Sequence, residues 1–294
     1  MTEQIVSEGG VVIYNPTAGR GQGVVMALKA KELLGPKYEW RPTQKAGHAI
    51  QLAREAGATH EVVVAMGGDG TVGDVARGLL GTNAALGVLP AGTGNDFARN
   101  LNLKLELDEA VSTVLSGVVR HIDVGMINDT PFINNAGTGF DAAVMKTMNT
   151  SIRFARGYSA FLLAILKTLP TYKPFRLNLT TVDGEKIEER AYMVSVLNGR
   201  MYGGGMLAAP FAEMDDGNLD LMIIKAVPKI QLLPLIGKVR SGQHMNHKAV
   251  RVLKARGFSV KTVPTQPLNI DGDVTGLTPA DITTLPRALK VLVR

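Results

Sequence analysis

The sequence predicts two domains, an α/β layer of parallel strands followed by a mainly antiparallel β-sandwich. Three observations carry this. Short β-branched runs alternate with helical patterns over the first 122 residues, the texture changes near Asp123 to strands without intervening helices, and nine glycines crowd between Gly67 and Gly94. Alternating strand and helix implies a parallel sheet with helical crossovers. Successive strands imply hairpins and a sandwich.

In chain order, Val11-Val12-Ile13-Tyr14 reads as the first strand, Val24 to Leu34 as a helix, Tyr38 to Arg41 as a strand, His48 to Ala56 as a helix and Glu61 to Ala65 as a strand. A helix from Val72 to Leu80 and a strand from Ala85 to Leu89 follow, which places the first domain at residues 1–122. The second domain, 123–285, carries predicted strands at Pro131 to Asn135, Phe175 to Val182, Lys186 to Leu197, Leu219 to Lys225, Val250 to Ala255 and Phe258 to Val263. Helical segments around Ser151 to Leu169 and Lys229 to Gly237 interrupt it. The closing run Ala288 to Val293 is compatible with a strand that returns residues 286–294 to the first domain, and equally with an end that does not.

Composition narrows the function classes. The 294 residues carry 32 Lys and Arg against 26 Asp and Glu, a net charge of +6 that suits an anionic ligand or surface. The absence of cysteine excludes thiol catalysis, disulfides and Cys-ligated zinc. The start, Met1-Thr2-Glu3-Gln4, lacks the basic-then-apolar layout of a signal peptide, so a cytoplasmic protein is expected. The longest apolar run, Phe161 to Leu169, is interrupted by Lys167 and falls short of the ~20 residues of a spanning helix. Sparse aromatics argue against a base-stacking nucleic-acid surface.

The chemistry concentrates in loops that follow predicted strands. Met66-Gly67-Gly68-Asp69-Gly70-Thr71-Val72-Gly73 stands between a strand and a helix, where glycines let backbone N–H groups converge on phosphate oxygens at a helix N-terminus. Asp69 adds a carboxylate suited to a magnesium ion or a hydroxyl. Leu89-Pro90-Ala91-Gly92-Thr93-Gly94-Asn95-Asp96-Phe97-Ala98-Arg99 is a second such turn, in which Asn95 or Asp96 also reads as a helix cap, and Asn15-Pro16-Thr17-Ala18-Gly19-Arg20-Gly21 is a third. Together they describe a nucleotide pocket that has neither the P-loop nor the dinucleotide fingerprint.

This set of motifs resembles the diacylglycerol kinase catalytic-domain family, in its soluble bacterial lipid-kinase branch, over nearly the whole chain. The Gly-Gly-Asp-Gly-Thr element is shared with NAD kinases, and the Pro-Ala-Gly-Thr-Gly-Asn-Asp-Phe-Ala-Arg element separates lipid kinases from them. The resemblance implies ATP held by Asn15, Pro16, Thr17, Ala18 and Gly19, by Gly67, Gly68, Asp69, Gly70, Thr71, Val72 and Gly73, and by the isolated Thr43 and Thr93. It implies a lipid-accepting cleft between the domains and transfer of the γ-phosphate to a hydroxyl of a diacylglycerol-like or sphingoid-like lipid. It also implies a magnesium ion near Met214-Asp215-Asp216-Gly217-Asn218, held by Asp216 with Glu213 and Asn218, although Asp-Asp-Gly-Asn is by itself an Asx turn.

In Leu268-Asn269-Ile270-Asp271-Gly272-Asp273 the family pattern is Asp-Gly-Glu, with the Glu as base toward the lipid hydroxyl. Asp273 stands where Glu is usual, one methylene or roughly 1.5 Å shorter, and misplacement on that scale can cost about a hundredfold in rate. The assignment is therefore Asp69 at a phosphate magnesium ion and Asp273 as base. Asp123, at the domain junction, either joins the magnesium network or is an ordinary strand-end residue. An NAD kinase-like enzyme and a nucleotide- or lipid-binding regulator without turnover are the alternatives.

Two stretches without acids point to peripheral contact with an anionic membrane. One carries Lys146, Arg153, Arg156, Lys167, Lys173 and Arg176, and the other runs from Lys238 to Lys261 with seven basic residues. Ordinary solvated faces read the same way. Phe154, Tyr158, Phe161, Leu162, Ile165 and Leu166 form a helical stripe that faces lipid or core. His244 and His247 lack the companions of a metal site.

Overall fold

Val11, Val12 and Ile13 are fully buried, as are Val62, Val63 and Val64, which demands strands covered on both faces. The computed structural model describes residues 3–4, 9–152 and 157–294. The chain divides into one unit of Met1–Ile122 with Arg287–Arg294 and a second of Asp123–Pro286.

The first unit contains β1 (Glu3–Gln4), β2 (Gly10–Tyr14), α1 (Ala18–Gly21), α2 (Gly23–Leu34), β3 (Tyr38–Pro42), α3 (His48–Gly57), β4 (Val62–Gly67), α4 (Asp69–Leu79), β5 (Ala85–Pro90), α5 (Asp96–Asn100), α6 (Leu107–Ser116) and the first part of β6 (Val118–Ile127). Its sheet runs β3-β2-β4-β5, all parallel. Residues along each strand alternate between faces, so Val12, Val62 and Val64 pack with Ala27 and Ala30 of α2 and Val111 of α6, leaving the alternate residues to α3 and α4. β3 and β4 flank β2 on opposite sides, which makes the carboxyl ends of β2 and β4 a topological switch point, the place where open α/β sheets bind ligands.

The second unit continues with β7 (Thr130–Phe132), β8 (Asn135–Gly139), α7 (Phe140–Ser151), α8 (Gly157–Thr168), β9 (Phe175–Thr181), β10 (Lys186–Leu197), β11 (Met201–Tyr202), β12 (Met206–Leu207), β13 (Leu219–Lys225), α9 (Leu233–Lys238), β14 (Val250–Ala255), β15 (Gly257–Val263), β16 (Pro267–Ile270), β17 (Asp273–Leu277) and β18 (Ala280–Val293). β10 organises it by changing partners along its length. Lys186–Ala191 pair with β9, Met193–Leu197 pair with β8, and β13 runs along the other edge of its second half. Phe132, Phe175, Leu177, Val196 and Phe258 fill the core of this antiparallel sandwich. Of β18, Ala280, Asp281, Ile282 and Thr283 pair with β15, while Lys290 and Val291 lie parallel to β5 in the first unit.

Three of the expected elements take a different form in the structure. The helix expected over Ser151 to Leu169 is α8, Gly157–Thr168, and a helix that was not expected, α7, ends at Ser151, with Arg153, Phe154 and Arg156 outside the described residues. The strand expected at Pro131 to Asn135 is the end of β7 and the start of β8. The helix expected at Lys229 to Gly237 is a 3₁₀ turn, Lys229–Gln231, followed by α9.

Gly78 sets the approach of α3 to α4, since a Cβ there would lie 2.4 Å from the Ile50 carbonyl oxygen and 2.7 Å from the Ala53 Cβ. Gly78→Ala is expected to lower stability by about 2 kcal/mol through overpacking. A urea unfolding midpoint unchanged from wild type would contradict this packing.

Candidate active site

In the first unit, β2, β4 and β5 each end in a turn containing glycine. After β2, Asn15 Oδ1 accepts the Thr17 N–H at 2.9 Å and the Thr17 hydroxyl at 2.8 Å, an Asx turn that closes the Asn15–Gly19 loop on itself. A Cβ on Gly23 would lie 2.3 Å from the Asn15 carbonyl oxygen, so α2 starts pressed against this loop. Thr43 donates its N–H to the Tyr14 carbonyl at 2.8 Å, which brings the end of β3 to the same edge.

The second and third turns touch. A Cβ on Gly92 would lie 2.5 Å from the Gly68 Cα, and the Ala91 N–H donates to the Gly67 carbonyl at 2.8 Å. Asn95, at φ +53°, locks the third turn, its Oδ1 accepting the Gly92 N–H at 2.9 Å and its Nδ2 donating to the Gly92 carbonyl at 3.1 Å. Gly70 and Thr93 are exposed and Thr71 is half-buried, whereas Val72 and Gly73 are buried. Val72 therefore anchors α4 in the core, and only its backbone faces the loop.

Asp69 opens α4 and ties it to α5, its Oδ1 accepting the Phe97 N–H at 3.0 Å. Burial, followed by repulsion from Asp96, raises its pKa to about 6 against the pull of the backbone N–H groups of residues 95–97. The carboxylate expected at a magnesium ion is thus a helix-capping group with one oxygen already held by an amide.

In the second unit, the two carboxylates of Asp271-Gly272-Asp273 have separate tasks. Asp271, at φ +48°, accepts the N–H groups of Ile133 at 2.9 Å, Asn134 at 2.9 Å and Asn135 at 3.1 Å, and so pins the entry to β8. Asn269 fixes the turn from beneath, with Oδ1 accepting the Gly272 N–H at 3.1 Å and Nδ2 donating to Asp141 Oδ2 at 2.7 Å. Asp273 is exposed at the start of β17. A carboxylate on a braced turn, open to solvent, is suited to accept a proton from a bound hydroxyl.

The turn at 213–218 gathers the other expected ligands. Asp123 Oδ2 accepts the Gly217 N–H at 2.6 Å, Asp216 Oδ1 accepts the Asn218 N–H at 2.9 Å, and Asn218 Nδ2 donates to the Asp216 carbonyl at 3.0 Å. Lys254 Nζ lies 2.7 Å from Asp216 Oδ2 and 3.6 Å from Asp220 Oδ2, while Glu213 is exposed. The donors facing these carboxylates are N–H groups and an ammonium, so as arranged they do not fit a divalent cation. Among the described residues, no three His, Cys, Asp or Glu side chains are grouped to hold a metal ion.

Sequence reasoning missed Asn198 to Met206. Asn198 Nδ2 donates to the carbonyls of Asp123 at 2.9 Å and Ile133 at 3.0 Å, which joins the middle of β6 to the ends of β7 and β10. Gly203, Gly204 and Gly205 then take φ of +68°, +87° and +92° to turn β11 into β12. Three consecutive glycines after a buried strand were the available signal.

An aspartate whose pKa rises on folding destabilises the folded state once it ionises. Below about 4 this contribution is absent, and it grows as pH rises to about 6. Asp69→Asn should therefore gain about 2 kcal/mol relative to wild type between pH 4.5 and pH 7. Urea unfolding at the two pH values checks this, and a pH-independent difference would contradict the burial of Asp69.

Known proteins match this chain along its length. The diacylglycerol kinase catalytic domain matches residues 10–127, and the YegS C-terminal NAD kinase beta sandwich-like domain matches residues 134–293. A diacylglycerol kinase of Bacillus subtilis is 32% identical over 289 residues, covering 96% of this chain and 95% of its own. A diacylglycerol kinase of Mycobacterium tuberculosis is 31% identical over 292 residues, covering 95% of this chain and 93% of its own. A solved structure of a Bacillus anthracis diacylglycerol kinase superposes with TM-score 0.77 at 23% identity over 99% of this chain and 98% of that one, a likeness of fold. With two domain matches in register and relatives of full length, the chain belongs to the diacylglycerol kinase family of lipid kinases.

Proposed function

We propose that the protein transfers the γ-phosphate of ATP, taken up as its magnesium complex, to a hydroxyl of a diacylglycerol-like or sphingoid-like lipid. The contact of the Gly68 turn, at the switch point, with the neighbouring Gly92 turn carries this reading, because backbone brought so close favours N–H groups as the donors that line a phosphate site. On this reading the first unit holds ATP through Asn15–Gly19, Gly67–Gly73, Thr43 and Thr93, and the second accepts the lipid. Lipid-kinase relatives of full length support the acceptor class.

Phosphoryl transfer depends on positioning and charge neutralisation more than on covalent chemistry by the protein. The acceptor oxygen forms its bond to the γ-phosphorus as the bridging bond to ADP breaks, and Asp273 takes the hydroxyl proton and later releases it to water. Asp69 contributes by holding α4 and α5 in register, with the N-terminus of α4 and its partial positive charge at the phosphates.

Among the described residues no helix is long and apolar enough to cross a membrane. On this reading the enzyme works in the cytoplasm and reaches its lipid by peripheral contact. Lys146, Lys167 and Lys173 are available for that contact on this reading. Lys254 and Arg251 are already paired with Asp216 and Glu189.

Radiolabelled ATP incubated with a mixed lipid extract in detergent micelles tests the assignment. Wild type should label a lipid, Asp273→Ala should lower turnover about a hundredfold while ATP still binds, and Asp273→Glu should keep activity. Full activity in Asp273→Ala would overturn the base, and phosphorylation of NAD with no labelled lipid would overturn the acceptor.

A further inference from the structure

Asp141 stands in the first turn of α7, yet its side chain bonds none of that helix's amides. It is 1% exposed, and among the described residues its carboxyl group makes a single hydrogen bond, Oδ2 accepting from Asn269 Nδ2 at 2.7 Å while Oδ1 has no partner. A buried carboxyl group so sparsely bonded costs stability. The sheet is built to admit it all the same, since Gly137 lies opposite Asn269 in the pairing of β8 with β16 and a Cβ there would lie 2.6 Å from Asp141 Oδ2.

What the carboxyl group secures is the orientation of the Asn269 amide. The Gly272 N–H can only donate, and it takes Asn269 Oδ1 at 3.1 Å. That leaves Nδ2, which also only donates, at the other end of a side chain buried to 1% exposure, where it needs an acceptor. A carboxyl group offers one whether ionised or protonated. Gly272, at φ +99° and without a Cβ, is the freest residue of its turn, and Asp273 follows it directly. Rotation of the backbone at Gly272 carries Asp273 with it, and the bond from Asn269 opposes that rotation.

We propose that Asp141 is a positioning residue for Asp273, acting through the Asn269 amide and the Gly272 N–H. The inference rests on the lipid-kinase reading, in which Asp273 takes the hydroxyl proton, and deepens it by naming what aims that base. Asp273 has a side chain one methylene shorter than glutamate, so it has less reach with which to make up for a displaced turn. Asp271 holds the same turn through the amides of residues 133–135, and Asp141 with Asn269 holds it from the side of α7.

Two paired variants of the full chain separate positioning from a merely structural role. Asp141→Leu with Asn269→Leu fills the same space without polar atoms, an exchange that can be nearly neutral for stability, but it takes the acceptor from Gly272. Its kcat for labelling lipid should fall about tenfold or more with KM for ATP unchanged. Exchange of the Gly272 amide, followed by NMR on glycine-labelled protein, should accelerate about tenfold or more, the loss of a bond worth roughly 1.4 kcal/mol. Asp141→Asn with Asn269→Asp swaps donor and acceptor across the same bond and still offers Gly272 an oxygen, so kcat and exchange should both stay within about threefold of wild type. In an Asp273→Ala background the leucine pair should change the remaining turnover by less than about threefold, since the group it aims is gone. Equal losses from the leucine pair with and without Asp273, Gly272 exchange unchanged in that pair, or a folded swap that loses kcat and protection would each overturn the proposal. The swap decides the matter if the leucine pair does not fold. Gly272 exchange reads no turnover, so the expected exchange pattern in a protein that labels no lipid would count against the kinase reading alone.

Discussion

The close approach of Gly68 to Gly92 is the constraint on which the first unit's chemistry depends. Two strands of a parallel sheet lie about 4.8 Å apart, and turns that stack on leaving them at that spacing clash unless one side chain or both are absent. Glycine at both positions lets the turns stack, and Asn95 and Asp69 then hold the stack, one by closing its own turn and the other by capping α5. The burial that raises the Asp69 pKa is a cost of this arrangement, partly offset by the amides it accepts. The result is a backbone-lined edge rather than one built from long cationic side chains.

The second unit solves a related problem with carboxylates. Asp271 accepts three successive backbone N–H groups and Asp123 accepts one from the Gly217 turn, so the strand ends are organised by fixed charges on amides. Charge-assisted bonds of this kind are about twice as strong as neutral ones. At the 213–218 turn Lys254 supplies the compensating positive charge from β14, on the side of Asp216 where a divalent ion was expected. Asp273 is left outside these bonds, on a turn that its neighbours hold still.

Most of the first unit was legible in the sequence because its strands are β-branched runs and its loops are glycine-rich, both of which are local signals. β8 was not, since Asn135-Ala136-Gly137-Thr138-Gly139 contains a single strand former, Thr138, among small residues. Its smallness is imposed from outside: a Cβ on Gly137 would lie 2.6 Å from Asp141 Oδ2, and one on Gly139 would lie 2.4 Å from the Phe175 ring. Likewise the Asp271 and Asp273 carboxylates look alike in sequence and differ only through the amides of residues 133–135, far away along the chain. His244 showed no metal companions in the sequence, and its orphaned nitrogen became visible only once the Ala208 carbonyl was placed against Nε2.

The central claim is that touching glycine turns form the nucleotide site. The most direct measurement is the affinity of magnesium ATP for Gly92→Ala by titration calorimetry, with circular dichroism to show that the chain is folded. The account predicts that the added methyl, 2.5 Å from the Gly68 Cα, separates the turns and weakens binding by about tenfold or more in a folded protein. Wild-type affinity in a folded Gly92→Ala protein would contradict it.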